Sequence, residues 1–228
     1  MNIAIIPARK NSKRIPNKNI KIFYGKEMIY FSIKAAIDSK LFKHVIVSTD
    51  CERIAKISKK YGADIFFKRP QKISDDKTGV IDVIKHSIKW LKMNNYNPET
   101  ICCIFPTAPL IKKDKILEGY KIFKKKKPDF LISAVNHQLN FFRSFFSSNK
   151  KKGLYKIFST RFDINFYKKK IYYDAGQFYF ANIKTWLNSK STFTKKSMIV
   201  EIEEDNVRDL NTKKDLKFLK ILYKNKKL

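Results

Sequence analysis

Asn2-Ile3-Ala4-Ile5-Ile6-Pro7-Ala8-Arg9-Lys10-Asn11-Ser12-Lys13-Arg14-Ile15-Pro16-Asn17-Lys18-Asn19 begins as an apolar run, stops at a proline, and opens into five cations interleaved with Asn and Ser. The run reads as a buried strand over residues 2–8. A strand that ends in a loop dense in cations and hydrogen-bond donors suits a polyphosphate, whose several charges must be met by fixed donors in a small volume. Pro16 prevents the basic stretch from forming one continuous Lys-rich helix. The loop also lacks the glycines of a Walker or dinucleotide fingerprint, so a third kind of nucleotide loop is expected. The plain alternative is an ordinary first strand followed by a solvated basic turn.

Working outward, apolar and polar stretches alternate. The patterns predict helices over residues 27–39, 51–61, 78–93, 114–125 and 212–223, and strands over 44–48, 64–67, 100–105, 130–135, 172–180 and 199–202. Gly62 closes the second helix. Strands alternating with helices of this length imply an α/β fold with a parallel or mixed sheet covered on both faces. Ligands of such sheets collect beyond the carboxyl ends of strands. The loops after Ala8, Thr49, Phe67 and Phe105 are therefore the expected site walls. Residues 136–170 break the alternation with aromatics and Lys clusters, which reads as an insertion or arm within a single domain spanning 1–228.

The formal charge of +30 invites a nucleic-acid reading. Its distribution argues against one, because the 50 cations are 43 Lys and 7 Arg spread along the whole chain. With 6 Gly and many Ile, Asn and Phe, this resembles a genome-wide codon bias, so no specific nucleic-acid partner is expected. Where Lys is the default cation, Arg marks positions that need a planar fork for phosphate or carboxylate. Cys51, Cys102 and Cys103 lack metal-site spacing and read as small core residues in a reducing compartment. His44, His86 and His137 are scattered and read as structural. No stretch approaches a membrane span or a signal peptide, so a soluble cytoplasmic protein with no membrane partner is expected.

The order Ala8-Arg9-Lys-Asn-Ser12-Lys13-Arg14-Ile-Pro16-Asn-Lys18-Asn19, then Val47-Ser48-Thr49-Asp50, Arg69-Pro70 and Pro106-Thr107-Ala108-Pro109 resembles the acylneuraminate cytidylyltransferase family. The resemblance covers nearly the whole chain. It implies a Rossmann-like nucleotidyltransferase fold with a mixed, mostly parallel sheet flanked by helices, a small dimerisation arm, and a homodimer. It also implies transfer of CMP from CTP to an acidic nine-carbon sugar, with Mg2+ as cofactor. By position, Ala8, Arg9, Ser12, Lys18, Asn19, Arg69 and Thr107 become CTP-binding residues, with Arg9 and Lys18 also catalytic through charge neutralisation. Lys13 and Arg14 form a second tier of cations.

Val207-Arg208-Asp209-Leu210-Asn211-Thr212 is similar to the family's metal motif of two aspartates one residue apart. Asp209 and Asn211 are the expected ligands, and Asp209 is counted as catalytic. Positions two apart on an extended segment face the same side, but an amide oxygen at 211 brings no charge. Glu203, Glu204, Asp205 and Asp174 are candidate helpers. The plain alternative is a helix N-terminus capped by Asn211 or Thr212. Phe105 replaces the Gln usual in sialic-acid members, and Tyr173-Asp174-Ala175-Gly176-Gln177-Phe178-Tyr179-Phe180 replaces their Asn-Gly-Ala element. Both departures, with Thr160-Arg161, resemble the branch acting on pseudaminic acid. Phe105, Arg143, Arg161, Asp174, Gln177 and Tyr179 are the expected sugar-binding residues, with Arg161 or Arg143 on the carboxylate. The rival readings are the same reaction on sialic, legionaminic or 3-deoxy-octulosonic acid, and a non-catalytic polyanion-binding protein.

Overall fold

The computed structural model describes residues 1–136, 145–147, 154–156 and 170–226. Strands β1 (Asn2–Pro7), β2 (Ile22–Phe23) and β3 (Lys26–Glu27) precede helix α1 (Met28–Asp38). Strand β4 (His44–Ser48) leads to α2 (Glu52–Lys60) and α3 (Val80–Met93), and β5 (Thr100–Ile104) leads to α4 (Lys113–Lys126). Strand β6 (Leu131–Asn136) precedes a hairpin of β7 (Phe145–Ser147) and β8 (Leu154–Lys156). The long β9 (Tyr172–Asn182), α5 (Ile183–Asn188), β10 (Met198–Glu201) and α6 (Lys213–Asn225) follow.

Six strands form one sheet in the order β10-β6-β9-β5-β1-β4. Strands β4, β1 and β5 are mutually parallel, as are β10 and β6, whereas β9 runs antiparallel to both neighbours. This is the expected mixed, mostly parallel sheet. Successive side chains on a strand face opposite sides, so both faces are apolar. Ala4, Ile6, Val45, Val47, Cys102 and Ile104 pack with Ile29 and Ile33 of α1, Ile54 of α2 and Ile116 of α4. Ile3, Ile5, Ile46, Ile101 and Cys103 pack on the other side with Ile84 and Ile88 of α3 and Trp186 of α5. A third cluster of Ile15, Phe23, Met28, Leu110, Leu210 and Leu219 ties α6 to the cationic loop.

Three local features differ from the sequence reading. Residues 64–67 do not form a strand: only the single bridges Ile46–Asp64 and Thr49–Lys68 join this stretch to its neighbours. The aromatic rings of Phe66 and Phe67 instead pack on Trp90 of α3. Helix α5 and the β2–β3 hairpin were not expected. The hairpin turns on Tyr24 (φ 47°) and Gly25 (φ 77°), two left-handed residues in succession, which suits the twist of a two-residue connection. The expected insertion at about 136–170, with Arg143 and Arg161, lies largely outside the described residues. No helix among the described residues is long and apolar enough to cross a membrane.

Candidate active site

The parallel strands β1, β4 and β5 end on one edge, and the loops leaving them build the site. Beyond β1, the Ala8 N–H donates to the Ser48 carbonyl (2.9 Å), which keeps the chain beside β4 for one more residue. The Asn19 side-chain amide then donates to the Arg9 carbonyl (2.8 Å), and the Ile15 N–H donates to Ser12 Oγ (3.4 Å). Asn17 adopts the left-handed conformation before a 3-10 turn over Lys18–Ile20. The loop is thereby folded back on itself rather than extended. It encloses a cavity of about 580 Å³ lined by Arg9, Ser12, Lys13, Arg14, Lys18, Asn19 and Thr107. Burial, followed by the repulsion of Arg14, lowers the Lys18 ammonium pKa from its ordinary value, while Asp209 opposes this. Lys13 is paired with Asp76 at 2.7 Å, on a surface where such a pair is easily displaced.

A second cavity, about 280 Å³, adjoins the first through the shared walls Arg14, Lys18, Phe105 and Thr107. Its far wall is β9. Register places Phe178 opposite Ile104, so residues 174–177 overhang the carboxyl end of β5, and the Phe105 N–H donates to the Gln177 carbonyl (2.9 Å). On its other edge β9 bulges: Ile132 and Ala134 pair with Tyr179 and Asp174, which puts extra residues on β9 between the two pairs. Such a bulge strands backbone donors. Ser133, fully buried, accepts N–H bonds from Gln177 (3.3 Å) and Phe178 (3.1 Å). Gly176, at φ +59°, donates its N–H to Asp174 Oδ1 (2.8 Å).

The bulge also fixes the acidic corner of this cavity. Gln177 Nε2 donates to the Asn206 carbonyl (2.8 Å), binding β9 to the segment that carries Asp209. A Cβ on Gly176 would lie 3.3 Å from Asp209 Oδ1, so any other residue would push that carboxylate back by a few tenths of an ångström on a backbone that already favours glycine. The Tyr179 hydroxyl donates to Asp174 Oδ2, and the Phe105 ring packs edge-on against Tyr179 at 5.1 Å. Burial raises the Asp174 carboxyl pKa, and the charge of Asp209 adds to it. Burial and the Asp174 carboxylate likewise raise the Tyr179 phenol, which keeps it a donor.

Asp174, Arg208, Asp209 and Asn211 also line a third cavity, about 740 Å³, whose other walls include the acidic Glu204, Asp205 and Asp215 beside Tyr172, Tyr173, Phe218 and Leu222. Arg208 bonds Asp215 Oδ1 through Nε (3.1 Å) and Nη2 (2.8 Å), and its guanidinium stacks 5.0 Å above Phe218. Thr212 and Asp215 form a reciprocal capping box at the start of α6. The plain alternative at this segment therefore holds for Thr212, while Asp209 and the Asn211 side chain are left facing the cavities.

The structure brings most expected residues together. Arg9, Ser12, Lys18, Asn19 and Thr107 face the cationic cavity, and Phe105, Asp174, Gln177, Tyr179, Asp209 and Asn211 face its neighbour. Ala8 and Arg69 stand apart. Ala8 is fully buried beneath the loop. Arg69 is 3% exposed and lines neither cavity, with Nη2 3.8 Å from Asp50 Oδ1, which accepts the Lys10 N–H at 2.8 Å. Its Nε and Nη2 have no hydrogen-bond partner among the described residues, and burial lowers its pKa. Arg143 and Arg161 lie outside the described residues. Ser133, Asp76 and Arg208 were not assigned to the site from sequence. Only Arg208 carried a signal, as an Arg among lysines beside the acidic motif.

Among the described residues, no three His, Cys, Asp or Glu side chains are grouped to hold a metal. The oxygen donors of Asp209 and Asn211 on one wall nonetheless suit a hard cation such as Mg2+, which takes one or two carboxylates and completes its shell with water and phosphate.

The model of a family described as cytidylyltransferase matches residues 3–228. The pseudaminic acid cytidylyltransferase of Campylobacter jejuni subsp. jejuni serotype O:2 is 38% identical over 98% of this chain and 96% of its own length. The post-translational flagellin modification protein B of Campylobacter coli is 31% identical over 99% and 96%. Among solved structures, CMP:2-keto-3-deoxy-manno-octonic acid synthetase complexed with CTP superposes with a TM-score of 0.73 at 14% identity, covering 99% of both chains, a likeness of fold.

Proposed function

The chain belongs to the cytidylyltransferase family, and from that premise we propose that it transfers CMP from CTP to the anomeric hydroxyl of pseudaminic acid, releasing pyrophosphate. The observation that carries this reading is the pair of adjoining cavities that share Arg14, Lys18, Phe105 and Thr107 as walls. The first is lined by Arg9, Ser12, Lys13 and Asn19 as well, which suits a triphosphate, and the second by Gln177, Tyr179, Asp209 and Asn211, which suits the reacting α-phosphate and a sugar with methyl and acetamido groups.

In this reading the anomeric oxygen bonds to the α-phosphorus as the bond to the bridging oxygen breaks, pyrophosphate leaves with the bonding electron pair, and the hydroxyl proton passes to solvent. Arg9 and Lys18 neutralise charge on the phosphates and the departing pyrophosphate. Ser12 and Asn19 keep the loop folded around them, as their bonds to Ile15 and Arg9 support. Arg69 acts from beneath the loop, and Thr107 closes the boundary between nucleotide and sugar. Asp209 and Asn211 would hold Mg2+, which when bound would supply positive charge to the phosphate oxygens. Phe105 and Tyr179 give the sugar an apolar edge, and Arg143 or Arg161 takes its carboxylate.

The remaining parts of the reading are a single domain over 1–228 with an arm at about 136–170, a homodimer, and a cytoplasmic enzyme whose CMP-sugar product serves the modification of flagellin. The test is pyrophosphate release from CTP and Mg2+ with pseudaminic, sialic, legionaminic and 3-deoxy-octulosonic acids in parallel. Pseudaminic acid is expected to give the highest kcat/KM. A higher value for another sugar reassigns the substrate, and no release with any of them removes the reading.

A further inference from the structure

We propose that Asp174 supplies the second carboxylate of the divalent-cation site, making good the charge that is missing at Asn211. This rests on the transfer reading above. Mg2+ bound beside a triphosphate commonly takes one or two protein carboxylates, and the 209–211 pair offers one. The structure supplies the other from a different element. Asp174 and Asp209 both approach Gly176: Asp174 Oδ1 accepts the Gly176 N–H at 2.8 Å, and Asp209 Oδ1 lies 3.3 Å from where a Gly176 Cβ would be. Both carboxylates and Asn211 line the same two cavities.

The other acidic neighbours are engaged elsewhere. Glu203 is bonded to Asn206 (2.8 Å) and Lys115 (3.3 Å), Asp205 to Lys226 (3.3 Å), and Asp215 to Arg208 and the Thr212 cap. Glu204 lines the 740 Å³ cavity and not the 280 Å³ one. Asp174 and Asp209, by contrast, make no salt bridge among the described residues. Asp174 is oriented by two neutral donors, Gly176 N–H and Tyr179 O–H, that leave each of its oxygens a further lone pair. A cation that acts on them is Lys18, which Asp209 stabilises from across the 280 Å³ cavity without a salt bridge, so two carboxylates on one cavity still favour a further cation beside them.

The test is a titration of the full chain with Mn2+ alone, followed by electron paramagnetic resonance of the free ion. Wild type is expected to take up one Mn2+, D174N to bind it about tenfold more weakly or worse, and D174N/N211D to recover most of the loss. Asp174→Ser, which keeps an acceptor for the Gly176 N–H, serves as the second variant if D174N melts below wild type. Wild-type affinity in folded D174N, no uptake by wild type, or no recovery in D174N/N211D would overturn the proposal. Neither CTP nor sugar enters the titration, so an inactive chain that binds Mn2+ through Asp174 would sink the transfer reading and leave this one standing.

Discussion

Ser133→Ala isolates the bulge that shapes the acidic corner. One hydroxyl oxygen accepts two backbone N–H groups, from Gln177 and Phe178, and Ser133 is fully buried, so water has no ready route to replace it. Each buried donor left unsatisfied costs about 1–3 kcal/mol. Both contacts are on the long side at 3.3 and 3.1 Å, so the lower half of that range applies, roughly 2–4 kcal/mol in all. For a chain of this size 1 kcal/mol moves the melting temperature by about 2–4 °C, so a fall of roughly 5–15 °C is expected. Ser87→Ala is the control. Ser87 is equally buried, but its hydroxyl donates to the Val83 carbonyl of its own helix and no backbone donor depends on it, so a change within about 0.5 kcal/mol is expected. Circular dichroism melts, with urea unfolding for the free energy, compare the two. Equal stability of the two variants would refute the claim that the serine hydroxyl satisfies the bulge.

Three further outcomes follow from the same geometry. Arg9→Ala should lower kcat for pyrophosphate release by on the order of 100-fold or more with the melting temperature retained, because the side chain acts on phosphate charge rather than on packing. Gly176→Ala places a methyl 3.3 Å from Asp209 Oδ1 on a left-handed backbone at φ +59°, so a stability loss of about 1–2 kcal/mol should accompany a larger proportional loss of turnover. His86 is held below its usual pKa of 6.5 by burial and by Arg69, Lys72 and Lys89. The unfolded chain therefore takes up this proton first as pH falls, so His86 costs nothing above about pH 6.5 and stability declines from there down to its folded pKa. A plot of unfolding free energy from about pH 7 to pH 5 should be flatter for His86→Asn than for wild type.

The cationic loop was legible in the sequence because its signals are local. Cation spacing and Pro16 define the loop after β1 within one stretch, and the apolar periods of α1 to α4 are long enough to read. The missed elements are short or depend on tertiary partners. Helix α5 has six residues, although Asn182, whose side chain accepts the Thr185 N–H at 2.8 Å, was a capping signal. Residues 64–67 carry the β-propensity of Ile and Phe, yet their rings are drawn into the aromatic packing against α3, and single bridges are all their backbone makes. The position of Arg69 beneath the loop, paired with Asp50, depends on where β4 ends relative to β1. The β9 bulge is a matter of register between strands about forty residues apart, and Gly176 was its one visible trace. That register decides which carboxylates meet, and so it separates Asp174 from the other acidic neighbours.

Phosphorus NMR of CTP, Mg2+ and pseudaminic acid with the protein records directly whether a bond forms from the sugar's anomeric oxygen to the α-phosphorus of CTP. Equal growth of a phosphodiester signal and of pyrophosphate, both slowed on the order of 100-fold or more by Arg9→Ala, is the expected record. CDP with orthophosphate, or an unchanged CTP spectrum, would contradict it.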